Sequence, residues 1–280
     1  SQARGFLIGA TAGRTTLNGE GLQHQDGHSH VLSSTIPNCI SYDPAYSYEL
    51  AVIIKDGIRR MYQEMESVFY YITTMNENYQ QPEMPKGVEK DIINGMYLLE
   101  DGNSKEFKVG KPINKEHRVR LLGSGTILRE ARKAAELLRT EYSVAVDVWS
   151  VTSFNELRRE ALEIGRENML NSDKKPKVPF VTDKLSKQAG PVISATDYMK
   201  IHSDQVREFI PDTYRVLGTD GFGRSDSREQ LRHFFEVDMK FIAAAALYEL
   251  KEAGLIDGKI LATHYKSLGI DKNKANPIYQ

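Results

Sequence analysis

The sequence predicts an α/β protein in two parts, the second built on a largely parallel sheet. Three observations carry this. Short apolar or β-branched runs alternate with segments whose apolar residues recur every three or four positions. A stretch with two prolines and a glycine, Gln80 to Gly87, separates one series of such units from a second. The balance of 40% hydrophobic and 27% charged residues over 280 positions is that of a soluble globular chain long enough for two domains.

The first series reads strand, long loop, strand, helix, strand. Phe6 to Ala10 is a short apolar run closed by Gly13, as expected of a buried parallel strand. Ile36 to Tyr42 is the next strand, ending at Asp43-Pro44, where Asp43 suits an N-cap and Pro44 the first helical position. Tyr46, Leu50, Ile53, Ile54, Ile58 and Met61 then mark one helix from Pro44 to about Tyr62. Val68 to Thr73 is β-branched and aromatic, hence a strand.

Past the linker, Gly95 to Arg118 reads as a hairpin-like region with a polar stretch from Glu100 to Lys115. Regular alternation follows. Strands are expected at His117–Leu122, Ser143–Ser150, Val178–Thr182, Pro191–Ala195 and Tyr214–Gly218. Helices are expected at Thr126–Glu141, where Ile127, Ala131, Ala134 and Leu138 share a face, at Phe154–Leu170 and at Asp197–Phe209. Three more helices finish the chain from about Ser227, one carrying the alanine-rich core patch Phe241 to Leu247. This alternation is the pattern of a mostly parallel sheet with helical crossovers.

Composition narrows the function. With 37 basic and 38 acidic residues the net charge is −1, which removes the electrostatic case for nucleic acid or an anionic membrane as partner. The apolar run Phe241 to Leu247 is far too short to span a bilayer, and the N-terminal residues lack a secretory pattern. A single cysteine, Cys39, rules out an internal disulfide framework and fits a reducing cytosol. The chain opens at Ser1-Gln2-Ala3-Arg4 without methionine, only five residues before a strand, and reads as a fragment of a longer protein.

Chemistry concentrates in Leu17-Asn18-Gly19-Glu20-Gly21-Leu22-Gln23-His24-Gln25-Asp26-Gly27-His28-Ser29-His30, which holds three of the seven histidines, two carboxylates and three glycines. Glycine permits tight turns and close approach to a ligand, and histidine moves protons near neutral pH. Three readings stand. His28 and His30 on one side of a strand, with His24 or Asp26, would make a metal site. The histidines could instead be satisfied by backbone carbonyls in a structural loop. Three histidines beside Glu20 and Asp26 at a strand end favour an active-site loop working by hydrogen bonding and proton transfer.

Other signals have simpler readings. Leu122-Gly123-Ser124-Gly125-Thr126-Ile127, with Asp147 further on, imitates a dinucleotide-binding turn. The position three after Gly125 is Leu128, not glycine, so a structural turn is preferred. In Asp220-Gly221-Phe222-Gly223-Arg224-Ser225-Asp226-Ser227, Ser227 and Gln230 have capping-box spacing, and Phe222 suits an anchor against a neighbouring domain. His233 reads as structural, while His202 and His264 are expected on helix surfaces.

The residues Gly13 to Ser29 resemble the loop of the homodimeric bacterial pyruvate dehydrogenase first component, an acetyl-transferring member of the transketolase-like thiamine-diphosphate superfamily. Ser41-Tyr42-Asp43-Pro44-Ala45-Tyr46, Asn76-Glu77-Asn78-Tyr79 and Gly218 to Arg228 match that family in order and spacing, and the resemblance covers essentially the whole chain. It implies an α/β architecture in which residues 1–79 are the C-terminal part of a pyrimidine-binding domain. Residues 80–94 would be a linker, and residues 95–280 a transketolase C-terminal-like domain with a mostly parallel sheet.

The resemblance also implies the chemistry. In the full-length enzyme, thiamine diphosphate and Mg2+ would support decarboxylation of pyruvate and transfer of acetyl to the lipoyl group of the dihydrolipoyl acyltransferase component. The enzyme would be a cytoplasmic bacterial homodimer with no nucleic-acid or membrane partner. His24 matches the substrate-facing histidine of the family loop and Glu20 a weaker, proton-relaying acid, while His28 and His30 would shape the loop. The main cofactor determinants are expected upstream of Ser1, so this chain alone is expected to bind no cofactor tightly, to offer no metal site and to be inactive. A transketolase-type aldehyde-transferring enzyme and an isolated dimerisation or scaffold module are the competing readings.

Overall fold

The computed structural model describes residues 3–10, 12–104 and 113–280, apart from the side chain of Lys115. Among these residues two sheets form. The smaller has strand order β1-β3-β2, from β1 (Phe6–Ala10), β2 (Cys39–Tyr42) and β3 (Phe69–Thr74), all parallel. The larger has order β4-β6-β5-β7-β8, from β4 (Met96–Glu100), β5 (Asn114–Gly123), β6 (Val144–Val151), β7 (Val192–Ala195) and β8 (Tyr214–Leu217). Only β4 runs antiparallel to its neighbour, so the expected mostly parallel sheet is present.

Both faces of the larger sheet are covered, which is why its strands read as continuous apolar runs. Val119 and Leu121 of β5 face α4 (Ile127–Tyr142) and α9 (Met239–Glu252), whose apolar stripes complete one buried layer. Leu122 points to the opposite face, where Trp149, Val151, Phe154 of α5 (Phe154–Leu170) and Val181 of α6 (Phe180–Leu185) pack. The smaller sheet buries Ile40, Tyr42, Tyr70 and Ile72 against α2 (Ser47–Ile58) and α3 (Glu89–Asn94). Helices α1 (Ser29–Ser34), α7 (Ile201–Asp204), α8 (Arg228–Phe234) and α10 (Gly258–Ser267) complete the chain. No helix among the described residues is long and apolar enough to cross a membrane.

Several expectations are corrected. Strand β1 is parallel as read but lies at the sheet edge, with Leu7 58% and Ile8 49% exposed, so its apolarity does not mark burial within this chain. Helix α2 begins later than Pro44. The carboxylate of Glu49 accepts from the backbone N–H of Ala45 (2.6 Å) and of the N-cap Tyr46 (3.0 Å), so the cap is at Tyr46 and not at Asp43. A single π-helical turn, Arg59–Gln63, extends it. Helix α3 falls within the stretch 80–94.

The hairpin expected between Gly95 and Arg118 does not form, because β6 lies between β4 and β5. Most of the polar stretch from Glu100 to Lys115 falls on residues 105–112, outside the described residues. Residues 178–182 are not a strand, since Phe180 opens α6, and only two short helical turns, Ile201–Asp204 and Arg207–Phe209, occur within 197–209. His202 and His264 are buried, not on helix surfaces, because both rings fill gaps between elements that meet only in the tertiary structure.

Candidate functional site: the histidine loop

The loop from Arg14 to His28 leaves the end of β1 and returns into α1, lying across the ends of β7 and β8. Its two ends meet. The buried Arg14 guanidinium donates through Nη1 to the carbonyls of Thr219 (2.6 Å) and Gly221, while its Nη2 faces Nδ1 of His28 at 3.5 Å. A Cβ on Gly27 would collide with Nη2, so glycine is required for the guanidinium to lie flat on the chain there. Burial lowers the Arg14 pKa, opposed by the charges of Asp197, Asp26 and Asp220.

Asp197, at the end of β7, receives the start of the loop. Its buried carboxylate accepts from Thr15 N–H (3.0 Å), Thr15 Oγ1 (2.7 Å) and Thr16 Oγ1 (2.7 Å). Burial raises its pKa, while nearby Arg232 opposes the shift. Gln25 holds the middle: its Nε2 donates to the Arg224 carbonyl (2.7 Å) and its Oε1 accepts from Arg224 N–H (2.8 Å). Gly19 N–H reaches the Asp226 carbonyl (2.9 Å), and Arg228 Nε reaches the Thr16 carbonyl (2.6 Å).

These contacts turn His24 outward. It ends a single 3-10 turn, Leu22–His24, with its backbone N–H on the Gly21 carbonyl at 3.1 Å. The His24 Nε2 lies 3.9 Å from Glu20 Oε2, with side-chain exposures of 60% and 50%. The pair is therefore open to a bound molecule. Asp26 instead shapes the backbone, accepting from the N–H groups of His28 (2.9 Å) and Ser29 (3.0 Å) at the start of α1.

The three histidines do not converge. His28 is exposed beside Arg14, whereas His30 is buried in helix α1, with Nε2 at 2.9 Å from Thr73 Oγ1. The His30 ring stacks on His202 at 4.9 Å and meets Tyr198 edge-on at 4.7 Å. Burial drops the His30 pKa to about 3 and puts His202 well below its ordinary value, so both rings are neutral. The strand placement behind the metal reading is thus overturned. Among the described residues no group of three His, Cys, Asp or Glu side chains is placed to hold a metal ion.

Sequence reasoning missed the buried polar residues behind the loop: Arg14, Gln25, Asp43, Thr73 and Asp197. Asp43 accepts from Thr73 Oγ1 at 2.7 Å, and burial pushes its pKa up to about 7. The glycines around Arg14 were the available signal, since a cation among tight turns often binds carbonyls. In the turn Leu122 to Ile127, Gly125 has φ +49°, and a Cβ would meet Asp43 Oδ2 at 2.7 Å. Asp147 there pairs with buried Arg118 at 2.6 Å. Ser227 caps α8 through Gln230 N–H (3.3 Å), and Phe222 is 72% exposed.

Comparison with known proteins places the two parts separately. The model of the pyruvate dehydrogenase E1 component middle domain matches residues 1–82, and that of the transketolase-like TK C-terminal domain matches residues 95–238. The pyruvate dehydrogenase E1 component of Pseudomonas aeruginosa is 57% identical over 279 residues, covering 99% of this chain and 31% of that protein. The protein of the same name from Escherichia coli is 55% identical over 278 residues, covering 99% of this chain and 30% of its own length. The chain therefore spans about a third of the length of these relatives.

Solved structures agree on the fold. A transketolase from Campylobacter jejuni superposes with TM-score 0.60 at 17% identity, over 87% of this chain and 31% of that one. A split-gene transketolase described as an inactive beta4 tetramer gives TM-score 0.56 at 16% identity, over 88% of this chain and 67% of that one.

Proposed function

The chain belongs to the pyruvate dehydrogenase E1 family with its transketolase-like C-terminal domain, and we propose that it forms one wall of a pyruvate-decarboxylating, acetyl-transferring active site. The observation that carries this reading is the exposed His24–Glu20 pair, held out on a loop that the inward-turned Arg14 and Gln25 fix in place. A loop so fixed does not have to reorganise when charge develops beside it.

The cofactor of the family reading, thiamine diphosphate, would supply the carbon nucleophile for the 2-oxo acid. Among the described residues no group of three His, Cys, Asp or Glu side chains stands together, and the loop carboxylate Asp26 accepts from backbone N–H groups. We assign the diphosphate and metal to parts of the longer family members that these 280 residues do not cover. The exposed apolar residues Leu7 and Ile8 of the edge strand β1 suit burial against such a neighbouring part.

In this reading His24 orients the pyruvate and exchanges a proton with the oxygen of its keto group. Neutral imidazole accepts and imidazolium donates, and Glu20 stands 3.9 Å away. His28 and His30 shape the loop. The assembled enzyme would be a cytoplasmic homodimer passing acetyl to the lipoyl group of a dihydrolipoyl acyltransferase.

The test is His24→Ala in the full-length enzyme, supplied with thiamine diphosphate, Mg2+ and a lipoyl acceptor. Pyruvate-dependent acetyl transfer should fall by about 10²-fold or more with thermal stability unchanged. Unchanged turnover would refute the role of His24. Ketol transfer between sugars, without pyruvate turnover in the parent enzyme, would favour the transketolase-type alternative.

A further inference from the structure

We infer that Arg14 is the positioning residue that closes the histidine loop on the turn Gly218 to Arg228, and so sets where the His24 imidazole stands. This rests on the reading that His24 faces the substrate. The turn carries a motif, Asp220-Gly221-Phe222-Gly223-Arg224, that no catalytic step uses.

A loop of this length costs conformational entropy to hold in one shape. Compact loops of this kind are fixed by drawing their ends together and packing their own side chains inside. Arg14 does the first. One guanidinium touches both ends of the loop, lying on Gly27 and facing His28, and it ties them to two carbonyls of the opposing turn through a single nitrogen. It is 2% exposed, and its cation lies 5.9 Å from the Phe235 ring centroid. Gln25 does the second, reading both backbone groups of Arg224 directly beside His24.

The geometry explains the choice of arginine. The planar fork lies flat on Gly27 while presenting N–H groups to Thr219, Gly221 and the His28 ring from one position. A lysine ammonium carries the charge but cannot span those partners. Arg14 itself touches neither His24 nor Glu20 in any hydrogen bond; its effect on them passes through the shape of the loop. Displacing a proton-transfer group by about 1 Å can cost on the order of 10²-fold in rate.

The experiment uses the full-length enzyme with four variants: Arg14→Met, Arg14→Lys, His24→Ala and the double variant Arg14→Met with His24→Ala. Arg14→Met should lower kcat by about 10²-fold with little change in KM for pyruvate, and Arg14→Lys should fall between it and the parent. In the His24→Ala background, Arg14→Met should cost nothing further, because the group it positions is gone. Arg14→Lys keeps the charge in the buried site, so the test does not depend on Arg14→Met folding. A loss of thermal stability with kcat per folded enzyme unchanged overturns the inference. So does a loss that multiplies with that of His24→Ala. Normal turnover in His24→Ala overturns the underlying reading and this inference with it, a result distinct from the other two.

Discussion

Replacing Asp43 with asparagine should remove a pH-dependent load at the junction of the two sheets. Asp43 ends β2, where its backbone N–H donates to the Thr152 carbonyl (2.8 Å) and its own carbonyl accepts from Gly125 N–H (3.2 Å). The side chain is 2% exposed, and Oδ1 accepts from Thr73 Oγ1. Burial moves the carboxyl from its ordinary 3.8 up to about 7, against the opposing hydrogen bonds from Thr73 and Ser124. Between those values the folded protein keeps a proton that the unfolded chain has released. The stability contributed by this group is therefore complete below about pH 4 and is lost as pH rises through about 7. At about 1.4 kcal/mol per pH unit, the full interval amounts to at most on the order of 4 kcal/mol.

Asparagine keeps an oxygen for Thr73 and does not titrate. Urea denaturation of both proteins at pH 5, 6, 7 and 8 gives the difference directly. Between pH 5 and 8 the variant should gain on the parent by up to about 3 kcal/mol. Glu49 and Asp197 are also raised by burial, but they are present in both proteins and cancel to first order. Parallel stability curves would refute the reasoning, and a parent that gains on the variant with rising pH would reverse its sign.

Two further perturbations test the same junction. Ser153 Oγ accepts from Glu156 N–H (3.0 Å) at the start of α5 and donates to the Ser41 carbonyl (2.6 Å). Ser153→Ala should therefore cost about 1–2 kcal/mol, read as a lowered thermal midpoint. Gly125→Ala should cost about 1–3 kcal/mol in urea denaturation, because φ is +49° and the added carbon meets Asp43 Oδ2. A Gly125→Ala variant as stable as its parent would show that the turn has room to relax.

Much of the fold is legible where local pattern and final environment agree. The helix Phe154–Leu170 and the strand Phe6–Ala10 have the limits their sequences predict, and Ile127, Ala131, Ala134 and Leu138 do lie on the buried face of α4. Where the two disagree, pattern fails for definite reasons. Val178 to Thr182 has strand composition, but Pro179 precedes the short helix α6. Gly95 to Arg118 looks like a hairpin because sequence proximity hides the insertion of β6 between β4 and β5.

The candidate site divides in the same way. Sequence alone determined the alternating α/β order, the apolar faces of the long helices and the concentration of histidines, glycines and carboxylates between residues 17 and 30, since these depend on residues near one another in the chain. Only the tertiary structure decided that His24 stands exposed beside Glu20 while His30 is buried against His202, 172 positions away. It likewise decided that Arg14 and Asp197 hold the loop, for a hydrogen bond forms where donor and acceptor meet in space, and carbonyls such as those of Thr219 and Gly221 leave no mark of that meeting in the order of residues.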